Sequence, residues 1–128
     1  YETSPIIPLG LYGESKVAAE EACHIAQEDG VDVTIIRPKT FIGTGRLGIF
    51  QILFEWIREG HRIPIIGTGN NKYQLLSVDD LVDAIYRSCT QPNKNEVFNI
   101  GAKEFGTVRQ DLGALLKHAG TRSRLVPQ

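Results

Sequence analysis

The sequence predicts an α/β fold. Four segments repeat apolar residues at helical spacing, and short β-branched runs bounded by glycine, proline or asparagine lie between them. Bulk composition agrees: of 128 residues, 41% are hydrophobic and 23% charged, ordinary values for a globular chain. That length fits one domain or a large piece of one.

The elements follow in order. From Leu11 to Asp29, Ala18, Ala22, Ile25 and Ala26 fall on one helical face, and Gly30 is placed to end the helix. Val31 to Arg37 (VDVTIIR) is β-branched with little polar alternation, so it reads as a strand buried on both faces, ended by Pro38. A second helix is expected from Leu47 to Glu59, with Ile49, Ile52, Leu53, Trp56 and Ile57 as its stripe and Gly60 as its stop. Short strands are expected at Ile63 to Ile66 and Tyr73 to Ser77. A third helix, Val78 to Ser88, carries Leu81, Val82, Ile85 and Cys89, and Ser77 with Asp80 forms a variant of the capping-box spacing. Val97 to Ile100 is the next strand. Val108 to Ala119 repeats the helical period through Val108, Leu112, Leu115 and Leu116, capped by Thr107 and Gln110 and stopped by Gly120. Arg124 to Val126 begins a further strand. Such alternation argues for layered helices and strands.

Charge excludes some classes of function. With 14 Lys+Arg against 15 Asp+Glu, the net charge of -1 gives no reason to expect a nucleic-acid or membrane partner. No apolar run approaches a membrane span and no signal-peptide pattern opens the sequence, so a cytoplasmic protein is expected. Cys23 and Cys89 lack a CxxC spacing and read as buried thiols. His24, His61 and His118 share no metal-ligand spacing, so no metal is expected. Asp79 and Asp80 suit the first turn of a helix, where acids complement the dipole. The chain has no methionine and Tyr1 stands first, which leads to the expectation that it is a piece of a longer protein.

The chemistry concentrates at Tyr12-Gly13-Glu14-Ser15-Lys16. A spacing of four on a helix puts the phenol and the ammonium on one face. A free tyrosine titrates near pH ~10, and a neighbouring ammonium favours the phenolate. The pair can therefore act as a general acid/base on a substrate hydroxyl or carbonyl. Such a pair also arises by accident on a solvated face, so its surroundings decide the matter.

Those surroundings are specific. Tyr12, Gly13, Ser15 and Lys16, followed by Ala18, Ala19 and Glu20 and preceded by Glu2, Pro5 and Pro8, resemble the catalytic helix of extended short-chain dehydrogenase/reductases, the NAD(P)-dependent epimerase/dehydratase family. Thr34-Ile35-Ile36-Arg37-Pro38 with Gly43 resembles that family's strand beside the nicotinamide. Gly67-Thr68-Gly69 with Leu75, Val78, Asp79 and Asp80 resembles its glycine turn, strand and helix, and Val97 to Gly101 with Thr107 the elements that follow.

The resemblance implies the C-terminal part of a Rossmann-type doubly wound fold, residues 1–128 forming a single fragment without the dinucleotide-binding half. It implies an NAD(P)-dependent epimerase or dehydratase acting on a nucleotide sugar as a homodimer, with NAD or NADP as cofactor. Tyr12 would be the acid/base and Lys16 its activator, both touching the cofactor. Pro38 and Lys39 would lie against the nicotinamide, and Thr40, Lys72 and Tyr73 on the substrate side. The fragment alone is expected to be inactive.

Two departures bear on this. The stretch Asn70-Asn71-Lys72-Tyr73 has Lys72 where nucleotide-sugar enzymes often carry an arginine, and lysine lacks the bidentate fork. The same stretch resembles the 3β-hydroxysteroid dehydrogenase branch. The family's Gly-x-x-Gly-x-x-Gly loop and catalytic Ser/Thr do not occur in the sequence, and Gly43-Thr44-Gly45-Arg46 and Gly67-Thr68-Gly69 read as turns, not phosphate loops. An alcohol dehydrogenase of the steroid type and a non-catalytic dinucleotide sensor therefore stand as alternatives.

Overall fold

The helical and β-branched periods become helices and short strands in alternation. A computed structural model describes residues 1–45, 47, 48, 50–91 and 95–128. In chain order the elements are α1 (Gly10–Glu28), β1 (Ile35–Pro38), β2 (Phe41–Ile42), α2 (Phe50–Glu59), β3 (Arg62–Ile65), β4 (Leu76–Ser77), α3 (Val78–Thr90), β5 (Val97–Ile100), α4 (Val108–Ala119) and β6 (Arg124–Pro127). The strands pair in parallel as β1 with β5, β2 with β4, and β3 with β6. This is the anticipated α/β class. Two compact units divide the chain: Tyr1–Lys39 with Asp79–Ile100, and Thr40–Val78 with Gly101–Gln128.

In the first unit, β1 and β5 run in register from Ile35 opposite Val97 to Pro38 opposite Ile100. The strand expected from Val31 begins only at Ile35. Its start is set by its partner, because the Ile35 N–H bonds the Glu96 carbonyl at 2.9 Å. Earlier residues have other partners: the Val31 N–H closes the end of α1 on the Ala26 carbonyl at 2.9 Å. The Val33 N–H bonds Asn95 Oδ1 at 3.1 Å. Val31 is exposed, and Ile35 and Ile36 are half-buried. Among the described residues no strand pairs with the other edge of β1.

Helix α1 buries a different face from the one its apolar residues suggest. Gly13, Val17, Glu20, Cys23, Ala26 and Gln27 are half-buried, whereas Ala18, Ala22 and Ile25 are exposed. Polar contacts help set that face: Glu20 bonds Arg37, and Gln27 Nε2 donates to the Val33 carbonyl at 2.8 Å, beside the half-buried Val17, Cys23 and Ala26. Within α3, Leu81 is buried, but Val82, Ile85 and Cys89 face solvent. The expectation of two buried thiols is therefore corrected, since Cys23 is half-buried and Cys89 exposed.

The second unit holds a clear core. Strand β3 alternates exposed Arg62 and Pro64 with buried Ile63 and Ile65, the signature of a strand covered on one face. Helix α2 packs on β3, α4 on β6, and the two helices on each other. Ile57 is the buried anchor of α2; Leu53 is half-buried, Ile52 and Trp56 are exposed, and Ile49 lies outside the described residues. Thr121 Oγ1 donates to the Ile57 carbonyl at 2.6 Å, satisfying a backbone acceptor at the helix end. Helix α4 opens with a full capping box, Thr107 accepting from the Gln110 N–H and Gln110 reaching back to the Thr107 N–H. It closes on Gly120 in the left-handed region, at φ 59°.

Candidate functional site

The acid/base candidates sit in the first two turns of α1. Gly13 lets the approach segment lie against this helix: a Cβ there would stand 3.2 Å from Pro8 Cα and Cβ. Tyr12 keeps 76% of its surface exposed. Lys16 Nζ lies 5.4 Å from the centroid of the Tyr12 ring, within cation–π range. The Ser15 hydroxyl donates to the Tyr12 carbonyl at 2.8 Å. Phenol and ammonium are thus adjacent and open to solvent, as the spacing of four requires.

Pro38 and Lys39 end β1 in the same unit. Pro38 is the last ladder residue, opposite Ile100, and the Lys39 N–H bonds the Ile100 carbonyl at 2.8 Å. Both side chains are exposed at the C-terminal end of a parallel strand, where α/β folds place ligands. Directly before them, Arg37 grips Glu20 of α1: Nε donates to Oε2 at 3.0 Å, and Nη2 donates to Oε1. That hydrogen-bonded guanidinium holds the Glu20 carboxyl below its ordinary range, and Glu20 in turn raises Arg37.

Thr40, Lys72 and Tyr73 belong to the second unit. Thr40 Oγ1 and the Tyr73 hydroxyl stand 2.9 Å apart in a hydrogen bond. The Leu76 N–H bonds the Thr40 carbonyl at 2.9 Å, fixing the backbone below that pair. Phe50 meets the Tyr73 ring edge-on, centroids 6.4 Å apart. Lys72 Nζ lies 5.7 Å from the centroid of Phe105, and its backbone bridges to Thr107. The structure brings Tyr12 to Lys16 and Thr40 to Tyr73, while Lys72 extends over Phe105.

Sequence reading assigned no role to Phe50, Phe105, Glu20 or Arg37. The row Tyr12, Lys16, Glu20 at intervals of four was a visible signal for Glu20. No local pattern links Lys72 to Phe105 or Phe50 to Tyr73, since those pairs form only on folding.

The turn Gly67-Thr68-Gly69 has a structural task. Gly69 is buried at φ 73°, and a Cβ there would stand 2.9 Å from Ile65 Cδ1. The Gly69 carbonyl accepts from the Arg109 N–H at 3.0 Å, and the Thr68 carbonyl from Arg109 Nε at 2.7 Å. Carbonyls, not amides, are what this turn offers to α4. Its Gly67 and Gly69 N–H groups are themselves bonded, to the Gln128 and Ile66 carbonyls at 3.0 and 3.2 Å. The backbone of Gly43 is pressed against Val78, so that a Cβ would collide with Cγ1; Arg46 lies outside the described residues.

Comparison with known proteins adds to this geometry. The family model described as "NAD dependent epimerase/dehydratase family" matches residues 1–101. The uncharacterized protein y4nG of Sinorhizobium fredii is 47% identical over 125 residues, covering 97% of this chain and 31% of that protein. A UDP-glucose 4-epimerase of Vibrio cholerae is 34% identical over 93 residues, 71% of this chain and 28% of its own. Among solved structures, the UDP-glucuronic acid 4-epimerase of Bacillus cereus in complex with NAD superposes with a TM-score of 0.83 at 25% identity, over 98% of this chain and 44% of that one. The chain thus spans less than a third of the length of these two curated relatives.

Proposed function

We propose, from the premise that this chain belongs to the NAD dependent epimerase/dehydratase family, that it carries the acid/base half of a nucleotide-sugar epimerase or dehydratase. The observation that supports this most is the adjacency of Tyr12 and Lys16 on one exposed face of α1, the ammonium 5.4 Å from the ring centroid. Tyr12 passes a proton to and from a substrate hydroxyl or carbonyl oxygen, and Lys16 supplies positive charge beside it.

The residues present fit one end of a nicotinamide dinucleotide. A phenol and an ammonium are a donor set suited to ribose hydroxyls, and Pro38 and Lys39 offer a flat ring and a second cation at a strand end. When bound, the nicotinamide supplies hydride transfer. The Gly67 and Gly69 amides are already bonded within the chain, so we assign the pyrophosphate end of the cofactor to another part of the full-length protein. Residues 1–128 are on this reading one piece of a larger epimerase/dehydratase domain, inactive alone.

Thr40 and Tyr73 take the sugar side: a pair of hydroxyls donates and accepts, matching the hydroxyls of a sugar. Lys72 supplies a point charge for phosphate. The exposed face of α1, with Ala18, Ala22 and Ile25, is the face we assign to a homodimer. A full-length protein containing this chain, incubated with NAD or NADP and with UDP- or dTDP-linked sugars, tests the substrate class by NMR of the product. Epimerised or dehydrated sugar is expected. Oxidation of a hydroxysteroid with every nucleotide sugar left unchanged would assign the chain to the steroid-type branch instead.

A further inference from the structure

We propose that Arg37 is a positioning residue: its two-point grip on Glu20 sets where α1 holds Tyr12 and Lys16 relative to the end of β1. The inference rests on the acid/base reading of Tyr12 and goes beyond it in naming what aims the pair.

Helix α1 has no fully buried residue; its apolar contribution is the half-buried Val17, Cys23 and Ala26. Beside these, specific contacts tie it to its unit: Gly13 against Pro8, Gln27 on the Val33 carbonyl, and Glu20 on Arg37. The last has the least freedom. Glu20 keeps 14% of its side chain exposed and Arg37 25%, and a planar guanidinium facing a planar carboxylate fixes orientation as well as distance. Arg37 is itself held at a third point, its Nη1 donating to the Glu2 carbonyl at 2.9 Å. Glu2 in turn accepts from the Asn99 N–H at 3.1 Å, and Asn99 is the ladder partner of Arg37. The grip therefore runs from the β1–β5 ladder to α1 with both ends constrained.

Its place relative to the chemistry gives it leverage. Glu20 lies one turn beyond Lys16 and two beyond Tyr12, about 12 Å from Tyr12 along the axis. A tilt of about 5° pivoting at Glu20 would carry Tyr12 about 1 Å, and a misplacement of that size can cost about 100-fold in rate. On the strand side, Arg37 immediately precedes Pro38 and Lys39. One ion pair thus joins the helix that bears the acid/base to the strand end assigned to the nicotinamide.

The test uses the full-length protein containing this chain, with UDP-glucose, UDP-glucuronic acid and dTDP-glucose as probes. Arg37→Lys keeps the charge but loses the fork; Glu20→Gln keeps the shape but loses the charge, and carries the test alone if the first variant does not fold. Tyr12→Phe is the reference for the underlying reading. Arg87→Gln, which breaks the exposed Asp83–Arg87 pair, is the control for losing any ion pair. Thermal melts establish folding, kcat and KM are measured separately, and hydrogen exchange across α1 is followed without cofactor. Expected are a kcat lowered about 10- to 100-fold with KM changed less than about threefold, faster exchange in α1, and a control like wild type. Folded Arg37→Lys and Glu20→Gln proteins with normal kcat, beside a Tyr12→Phe protein that has lost turnover, would overturn the positioning role alone. Normal turnover in Tyr12→Phe would overturn the reading beneath it and this inference together.

Discussion

Truncating Ile63 to alanine removes side-chain carbons from the best-buried position of β3, which is 2% exposed. Three buried carbons at about 0.8 kcal/mol each contribute about 2.4 kcal/mol of lost burial. The cavity left between β3 and α2 adds to this, giving an expected cost of about 3–4 kcal/mol. Ile66→Ala is the internal comparison. Ile66 is also isoleucine and only three residues on, but it is 89% exposed, so its truncation should stay within about 0.5 kcal/mol. The assay is urea unfolding of the chain followed by fluorescence of Trp56, its single tryptophan, which lies in the same unit. Midpoints and slopes are fitted together, so that a change in slope is not mistaken for a change in stability. Equal costs at the two positions would refute the one-sided burial of β3 and the register that pairs Ile63 with Leu125.

The Glu20–Arg37 pair makes a pH-dependent contribution to stability. The Arg37 hydrogen bonds hold the folded Glu20 carboxyl below its ordinary 4.5, so the contribution is fully present above that value and is lost as pH falls through the folded one. The stability gap between wild type and Glu20→Gln should therefore shrink between neutral pH and acid below 4.5, and a gap constant across that range would contradict the pairing. The chain alone should show no micromolar affinity for NAD or NADP by calorimetry, because a pyrophosphate site needs a glycine turn and helix N-terminus that Gly67–Gly69 does not supply. Measurable tight binding would sink that assignment. Light scattering across a concentration series should show association through the exposed face of α1 or the open edge of β1, and a strictly monomeric mass at high concentration would exclude it.

What was legible in the sequence was local. Thr107, Gln110 and Gly120 delimit α4 because caps are decided within a few residues, and Gly60 ends α2 for the same reason. Val97 to Ile100 was readable because its ends coincide with the ladder. The strand at Val31 was not, since Asn95 and Glu96, more than sixty residues away, decide that only Ile35 onward pairs. The packed face of α1 escaped apolar periodicity because its holding contacts are made by Glu20 and Gln27, polar residues with distant partners. Strand β2 is two residues long and takes its identity from β4, so no local signal marks it. At the candidate site, the spacing of Tyr12 and Lys16 was sufficient to place them together. The pairing of Thr40 with Tyr73, and of Lys72 with Phe105, joins residues 33 positions apart in each case, and needed the folded chain to be seen.

The most direct test of the proposed chemistry is single-turnover hydride transfer in the full-length protein, comparing Tyr12 with Tyr12→Phe under saturating cofactor and nucleotide sugar. Removing the hydroxyl keeps the ring but takes away the group that exchanges a proton with the substrate oxygen. The rate should fall by about 100- to 10,000-fold while cofactor, still held by Lys16, continues to bind. A Tyr12→Phe protein that transfers hydride at an undiminished rate, with chemistry rate-limiting, would show that Tyr12 is not the acid/base.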